Sequence, residues 1–456
     1  MASNEQRVGD RGVEDVLRET RFTPFHRRIF LITGFAWTFV AFEIILISLV
    51  LPAIGAEFGI FDLATFMATD PLQYGAIVSA TLLGSFLGSV SLGRLSDRQG
   101  RRTLFQVSVV VYALFTALTA LSFNPASLFI FRLLAGIGLG GMLVIDPPIL
   151  SEFLPPQDRG RYMVLLDFFW PLGFLLAIGF WYFFIIQLDG AWRLLFVAAA
   201  FPAFIAFVFR RSVPESPYYL ARQGRLEEAA AVLRQIPGAD VDAGDLRREP
   251  AVPRPPVSAL FRGSLFRRTA VTIGVWIALN FSYYGLFLWL PPVLAQIGIV
   301  DFSDPNVLAY FLIVSALAQF PGYFASMILV DRWGRKRTLA LFLTLGGISG
   351  YIFATAQDFW TLILGLVFVS FFNLGAWGAV YPYTTELFPT QYRATGFGVA
   401  EGVGKITAIL APLVFAALLL STGEVFWPLT SVALLMLVGG VVAGVFGPET
   451  KGQPFG

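Results

Sequence analysis

The sequence predicts an all-α polytopic membrane protein of twelve transmembrane helices, arranged as two six-helix bundles. Three observations carry that prediction. Of the 456 residues, 56% are hydrophobic and 14% charged, with a mean hydropathy of +0.72, whereas soluble globular chains carry about a quarter charged residues. Apolar stretches of about 20 residues, long enough to cross a hydrocarbon core of about 30 Å, recur along the whole chain. A set of polar landmarks then repeats at a single spacing of 234 positions.

In chain order, the apolar segments fall at about 29–53, 72–93, 103–122, 126–150, 161–187 and 190–210, then at 267–295, 306–330, 338–356, 359–385, 393–420 and 425–447. The alternating pattern of a membrane β-barrel is absent, so backbone polar groups must be satisfied inside helices. The first 24 residues are polar and charged, without the apolar core of a cleaved signal peptide, and none is expected; a cytoplasmic tail is expected over 1–28. The first bundle is expected over 29–210, a polar linker with short helices over 211–266, the second bundle over 267–447 and a closing tail over 448–456.

Charge sets the orientation. Apart from Arg132, Arg193 and Lys405, every Lys and Arg lies in a tail or in a loop leading from an even to an odd segment. Eleven Arg lie from Arg210 to Arg268 alone, while GAEFGIFDLATFMATDP and AQIGIVDFSDPN carry no Lys or Arg. The positive-inside rule makes the basic loops and both termini cytoplasmic. With no Cys and one His (His26), disulfides and the common zinc and haem spacings are excluded. No metal, cofactor or nucleic-acid partner is expected, and no nucleophile with a His base suggests an enzyme.

The repeat joins Asp97 to Asp331, Glu152 to Glu386, Arg159 to Arg393, and Pro214 of PESP to Pro448 of PETKG. Four landmarks at one offset mark a parallel duplication, as in carriers whose halves rock around a central site.

Together, DRQGRR and DRWGRKR, RLLAGIGLGG, ELFPTQYR, PESPYYL and PETKG resemble the major facilitator superfamily across essentially the whole chain. PESPYYLARQGRLEEAAAVL and PETKG look like sugar porters. GFAWTFVAFEIILISLVLPAI, GGMLVIDPPILSEFLPP, LLDFFWPLGFLLA and FSYYGLFLWLPPVL look like bacterial metabolite:proton symporters related to niacin transporters and synaptic vesicle glycoprotein 2. Sugar porters place hydroxyl-binding Gln on their fifth and seventh helices; here the fifth has only Gln187 at its outer end and the seventh has none. The resemblance implies a monomeric secondary carrier in the bacterial inner membrane, whose partners are the bilayer, protons and a small organic metabolite, aromatic or carboxylate. A sugar:proton symporter is the alternative. An efflux antiporter fits less well, because FFWPLGFLLA lacks the Gly-Pro-x-x-Gly-Gly pattern, and a non-transporting receptor less well because the tails and linker are short.

Ionisable residues inside a membrane cost about 2.5–3.5 kcal/mol each and need a reason. By helical rise Glu43 lies roughly 15 Å, and Arg132 about 9 Å, inside the outer ends of the first and fourth segments, so the Arg side chain spans the difference. The resemblance implies that both segments line the central cavity and that the two residues pair, which would make Glu43 a proton-coupling carboxyl; a permanent ion pair is the other reading. Asp146 lies on the same stripe as Arg132, about 21 Å further along, as a second proton station or a wetted helix-end carboxylate. Asp167, six residues beyond Arg161, reads at least as well as an interfacial structural residue as a proton-handling one, and Glu401 with Lys405 as a mainly structural i, i+4 pair, although Lys405 would also attract an anion.

Asn280, Tyr283 and Tyr284 share one face of the seventh segment, and Asn373, Trp377 and Tyr381 one face of the tenth. Such walls suit a flat organic solute, while helix packing is the competing role. Trp181 and Trp192 read as interfacial belt residues. The resemblance implies a cytoplasmic gate of Asp97, Arg98, Arg101, Glu152 and Arg159 in one half and Asp331, Arg335, Glu386 and Arg393 in the other, their charges meeting across the halves when it shuts.

Overall fold

The computed structural model describes residues 9–62, 67–210, 212–249, 255–302 and 304–451. A tail helix α1 (Val13–Glu19) precedes the first crossing, α2 (Pro24–Glu57), which starts earlier than its apolar stretch because the Thr23 backbone N–H donates to His26 Nδ1 at 3.0 Å and closes the first turn. A two-stranded hairpin, β1 (Phe61–Asp62) antiparallel to β2 (Met67–Ala68), leads to α3 (Pro71–Gln99). Asp70 caps α3 by accepting the Gln73 backbone N–H at 3.0 Å. Then come α4 (Arg101–Thr119) and α5 (Pro125–Phe153), the latter capped by Asn124. The fifth crossing runs through α6 (Pro156–Asp167), α7 (Phe169–Trp181) and a π-helical turn, Tyr182–Gln187, and the sixth is α8 (Trp192–Arg210).

After the linker helices α9 (Pro217–Arg222) and α10 (Leu226–Leu233), the second half holds α11 (Gly263–Phe287), the short α12 (Leu290–Ile297), α13 (Pro305–Trp333), α14 (Arg335–Ala354), α15 (Phe359–Leu387), α16 (Thr390–Thr422) and α17 (Phe426–Val441). The last ends in a π-helical turn, Val442–Phe446. Eleven helical runs among the described residues are long and apolar enough to cross a membrane, and α8 adds a shorter one, apolar over Trp192–Pro202. This is the twelve-helix fold the sequence predicts.

The duplication reaches the packing. In the first half α3 presses onto α5 so closely that a Cβ on Gly88 would lie 2.0 Å from the Ile137 carbonyl oxygen. In the second, a Cβ on Gly322 would lie 2.2 Å from the Phe371 oxygen between α13 and α15. Both pairs are 234 positions apart, so small residues serve the same close crossing twice.

The halves touch along α3 and α16, where Ser79 Oγ donates to the Ile409 carbonyl at 2.8 Å. Away from the Arg-rich loops they are closed by aromatic residues: Trp289 is fully buried, stacked on Phe415 at 4.9 Å and beside Tyr74 at 4.9 Å. On the same side the Tyr182 hydroxyl of the first half donates to Asn306 Oδ1 of the second at 2.6 Å.

The linker is shared between the halves. Arg11 and Leu246 form a parallel bridge, with the Arg247 N–H donating to the Arg11 carbonyl at 2.9 Å, and the Val13 N–H reaches Glu249 at 3.0 Å. The buried face of α1, Val13, Val16 and Leu17, thereby joins the first half. The 3-10 turn Val257–Phe261 belongs to the second, with the Leu260 carbonyl accepting from Thr269 Oγ1 at 2.9 Å.

Candidate functional site

Glu43 and Arg132 meet. Arg132 Nη1 donates to Glu43 Oε1, and neither side chain has any exposure. The carboxylate also accepts from Thr116 Oγ1 at 3.0 Å and from the Tyr112 hydroxyl at 3.2 Å, while Arg132 Nε reaches Thr81 Oγ1 at 3.2 Å. The Phe196 ring lies 5.5 Å from the guanidinium. Five helices, α2, α3, α4, α5 and α8, thus enclose the pair inside the first half, and hydrogen bonds replace the water that both charges lost. Tyr112 and Thr116, which sequence reasoning missed, were legible only as two polar residues at i, i+4 on an apolar segment. Asp146 is buried on α5, about 21 Å of helical rise beyond Arg132.

Between the halves lies an aromatic cluster. Tyr283 on α11 accepts a hydrogen bond from the Trp170 indole of α7 at 2.6 Å. Ring centroids then link Trp37 to Trp170 at 6.0 Å, Tyr283 to Trp377 at 6.3 Å, Trp377 to Tyr381 at 6.0 Å and Trp276 to Trp377 at 5.8 Å. Tyr284 packs against Tyr283 at 5.2 Å. The two amides spend a donor within this wall: Asn280 Nδ2 on the Trp276 carbonyl at 2.9 Å, and Asn373 Nδ2 on Ser282 Oγ at 2.8 Å, joining α15 to α11. Among the described residues, the buried indole nitrogens of Trp37 and Trp377 have no hydrogen-bond partner. Sequence reasoning missed Trp37, Trp170 and Trp276, whose aromatic runs read as ordinary apolar helix.

Charges flank the cluster. Asp167 ends α6 at the break before α7, is 8% exposed and lies within electrostatic reach of Tyr323 and Tyr381. Across from it, Glu401 lies within reach of Tyr284 and Tyr381 and pairs with Lys405 at 3.2 Å. Lys405 Nζ also donates to Ser89 Oγ of the other half at 2.7 Å. Trp181 and Trp192 are buried rather than belt residues: Trp192 donates to Glu57 at 2.8 Å beside a cavity of about 640 Å³ on the face away from the basic loops.

At the basic face each half builds the same triad. Arg101 pairs with Glu152 at 2.9 Å, and Glu215 accepts the backbone N–H groups of Arg101 and Arg102 at 3.2 Å. Arg335 pairs with Glu386 at 2.9 Å, and Glu449 accepts the N–H groups of Arg335 at 2.9 Å and Lys336 at 3.3 Å. A carboxylate at each helix N-terminus meets unsatisfied donors and the positive end of the dipole. Burial pushes the Glu449 carboxyl up, but the backbone donors of Lys451, Lys336, Thr450 and Arg335 outweigh it and hold the group below its ordinary value. Asp331 lies 3.6 Å from Arg335 and is 78% exposed. Each of these ion pairs runs within one half. Arg159 faces Tyr218, whose hydroxyl burial pushes up to about 12 against the pull of that cation. Arg393 lies half-buried near the start of α16. The side chains of Asp97 and Arg98 lie outside the described residues.

Known proteins agree with this architecture. The family model "Sugar (and other) transporter" matches residues 27–456. The niacin transporter NiaP of Acinetobacter baylyi is 36% identical over 433 residues, covering 94% of this chain and 95% of that protein. The putative niacin/nicotinamide transporter NiaP of Bacillus subtilis is 32% identical, over 93% and 96% of the two chains. Among solved structures, the partially occluded inward-open form of the xylose transporter XylE from E. coli superposes with a TM-score of 0.74 at 20% identity, covering 94% of this chain and all of that one, a likeness of fold. The chain belongs to the sugar (and other) transporter family: it is an integral membrane carrier of the major facilitator type, not an enzyme.

Proposed function

We propose that this carrier couples proton entry to uptake of a small aromatic carboxylate by alternating access, in a bacterial inner membrane with the basic face cytoplasmic. The observation that carries the reading is the pair of buried indole donors, Trp37 in one half and Trp377 in the other, with no partner of their own. An unpaired buried donor costs about 1–3 kcal/mol, so a solute oxygen that reaches it recovers much of that loss. The rings around them suit a flat solute, and Lys405 supplies a cation where the halves touch. The niacin-transporting relative points the same way by its name.

Glu43 is the proposed proton site, tuned by Arg132. Asp146 is proposed as a second station, and Tyr284 and Tyr381 as parts of the solute wall. PESP and PETKG, the sugar-porter-like motifs, place Glu215 and Glu449 as helix caps. They therefore argue for architecture rather than for a hexose.

Purified protein screened by thermal shift against nicotinate-like acids, hexoses and organic cations tests the solute, since ligand stabilises by mass action. Aromatic acids should raise the melting temperature; a rise with hexoses alone overturns the reading. In liposomes, adding the stabilising acid should make the outside medium more alkaline, and uptake indifferent to an imposed pH gradient overturns coupling.

A further inference from the structure

A groove lies on the outer surface of the second half, next to the basic loops. It runs between α14 and the end of α17, has a volume of about 440 Å³ and is headed by Lys336 and Arg337. Its shape follows from two glycines. At Gly440 the helices are in tight contact, since an added Cβ would lie 2.3 Å from Thr344 Oγ1; one turn nearer the basic face, at Gly444, the nearest atom is Ala340 Cβ at 3.4 Å. The groove therefore widens toward the basic face, with Val441 and Val445 as its apolar lip. The π-helical turn Val442–Phe446 forms that part of α17, and Arg267 Nε holds its end by donating to the Phe446 carbonyl at 2.8 Å.

The charges here are unbalanced. Glu449 accepts backbone N–H groups through Oε1, and Asp331 and Glu386 face Arg335. Lys451 Nζ adds a further cation, donating to the Arg332 carbonyl at 2.8 Å. Among the described residues, neither Lys336 nor Arg337 has an ion pair. Two free cations above an apolar cleft, in the leaflet that meets the Arg-rich loops, complement one amphiphile: a lipid with a net negative headgroup.

We propose that this groove binds an anionic phospholipid, its phosphate on Lys336 and Arg337 and its glycerol end in the cleft beside Gly444. The site is separate from the solute pathway and does not depend on the substrate assigned above. Zwitterionic lipids are disfavoured, because their own cation would face Lys336 and Arg337.

The test mixes purified full-length protein in detergent with equal amounts of phosphatidylglycerol and phosphatidylcholine of the same chain length and counts retained lipid by native mass spectrometry. One phosphatidylglycerol should be retained with a preference of roughly tenfold, as two cations at about a few-fold each give. The double variant Lys336→Gln, Arg337→Gln should lose that preference. Gly444→Leu, which fills the cleft and keeps both charges, should lose it as well, and Ala340→Phe fills the same space from α14 if the first variant does not fold. Equal retention of both lipids by the unaltered protein overturns the proposal. So does a preference that survives in the filled-cleft variant, which reveals surface charge alone, or full displacement of the lipid by inorganic phosphate.

Discussion

The Trp170 indole N–H donates to the Tyr283 hydroxyl at 2.6 Å, tying α7 of one half to α11 of the other. A carrier that alternates must remake such a bond in each cycle. Trp170→Phe keeps a ring and removes the donor, a change of about 1 kcal/mol or roughly fivefold in a two-state balance. The balance should move toward the state open on the face away from the basic loops. Because the chain has no Cys, labelling of a single cysteine introduced beside Trp289 reads that shift without background, and unchanged labelling would show that the bond is indifferent to state.

Glu43→Gln should abolish proton-driven accumulation, bringing the inside-to-outside ratio of solute to about one, while exchange of solute across the membrane continues. Glu43→Ala should also destabilise the fold by about 3–5 kcal/mol, because Arg132 is left buried without its carboxylate. Full accumulation in the Gln variant removes Glu43 from the coupling.

Lys405→Gln separates charge from shape. It preserves a donor toward Ser89 but removes the cation. Affinity for an aromatic acid should fall about tenfold or more, and affinity for the neutral amide of the same ring should stay within about twofold. Parallel losses for acid and amide would assign Lys405 to packing between α16 and α3.

Within the triad of the second half, Arg335→Ala leaves Glu386 without its cation and should cost about 3 kcal/mol of stability. Asp331→Asn alters a group that is 78% exposed and should cost less than about 1 kcal/mol. If Asp331 also helps to shut the basic side, this second variant slows transport while melting normally; normal transport leaves Asp331 with a role in topology alone.

The Glu449 cap gives a pH dependence with a defined sign. Its folded-state pKa is depressed, so its contribution is complete above the ordinary carboxyl range and is lost as pH falls through the lower folded value. Melting curves of Glu449→Gln should therefore lie below those of the unaltered protein near neutral pH and converge with them in acid. Parallel curves down to acid pH would show that the carboxylate charge is not what stabilises the start of α14.

The spans, their order and the duplication were legible because each rests on a local pattern: an apolar stretch of membrane length, or a charged motif at a fixed offset. The meeting of Glu43 with Arg132 was expected from their depths in the membrane together with the family resemblance, which sets their two helices around one cavity. Partners set by helix rotation were not legible. Tyr112 and Thr116 complete the shell around Glu43 from a third helix, and no spacing on α2 or α5 points to them. The indoles of Trp37 and Trp170 disappear among neighbouring aromatics: α2 is buried almost all round, and the exposed side of α7 is as apolar as its buried side, so neither shows a polar and an apolar face. Trp192 read as a belt residue since its position near a helix end fits one, yet its hydrogen bond to Glu57 draws it inside.

The divided linker makes the molecule severable. Everything through Glu249 is fastened to the first half by the Arg11 and Leu246 bridge, and everything from Val257 is fastened to the second. Each half also keeps its own capping glutamate, Glu215 or Glu449, on its own side of the gap. Two polypeptides divided between Glu249 and Val257 and made together would each retain their caps and their tight glycine crossing. They could then reassemble along α3 and α16 into a working carrier, whereas a cut just before Pro214 would strip α4 of its carboxylate and leave the first fragment unable to hold its fold.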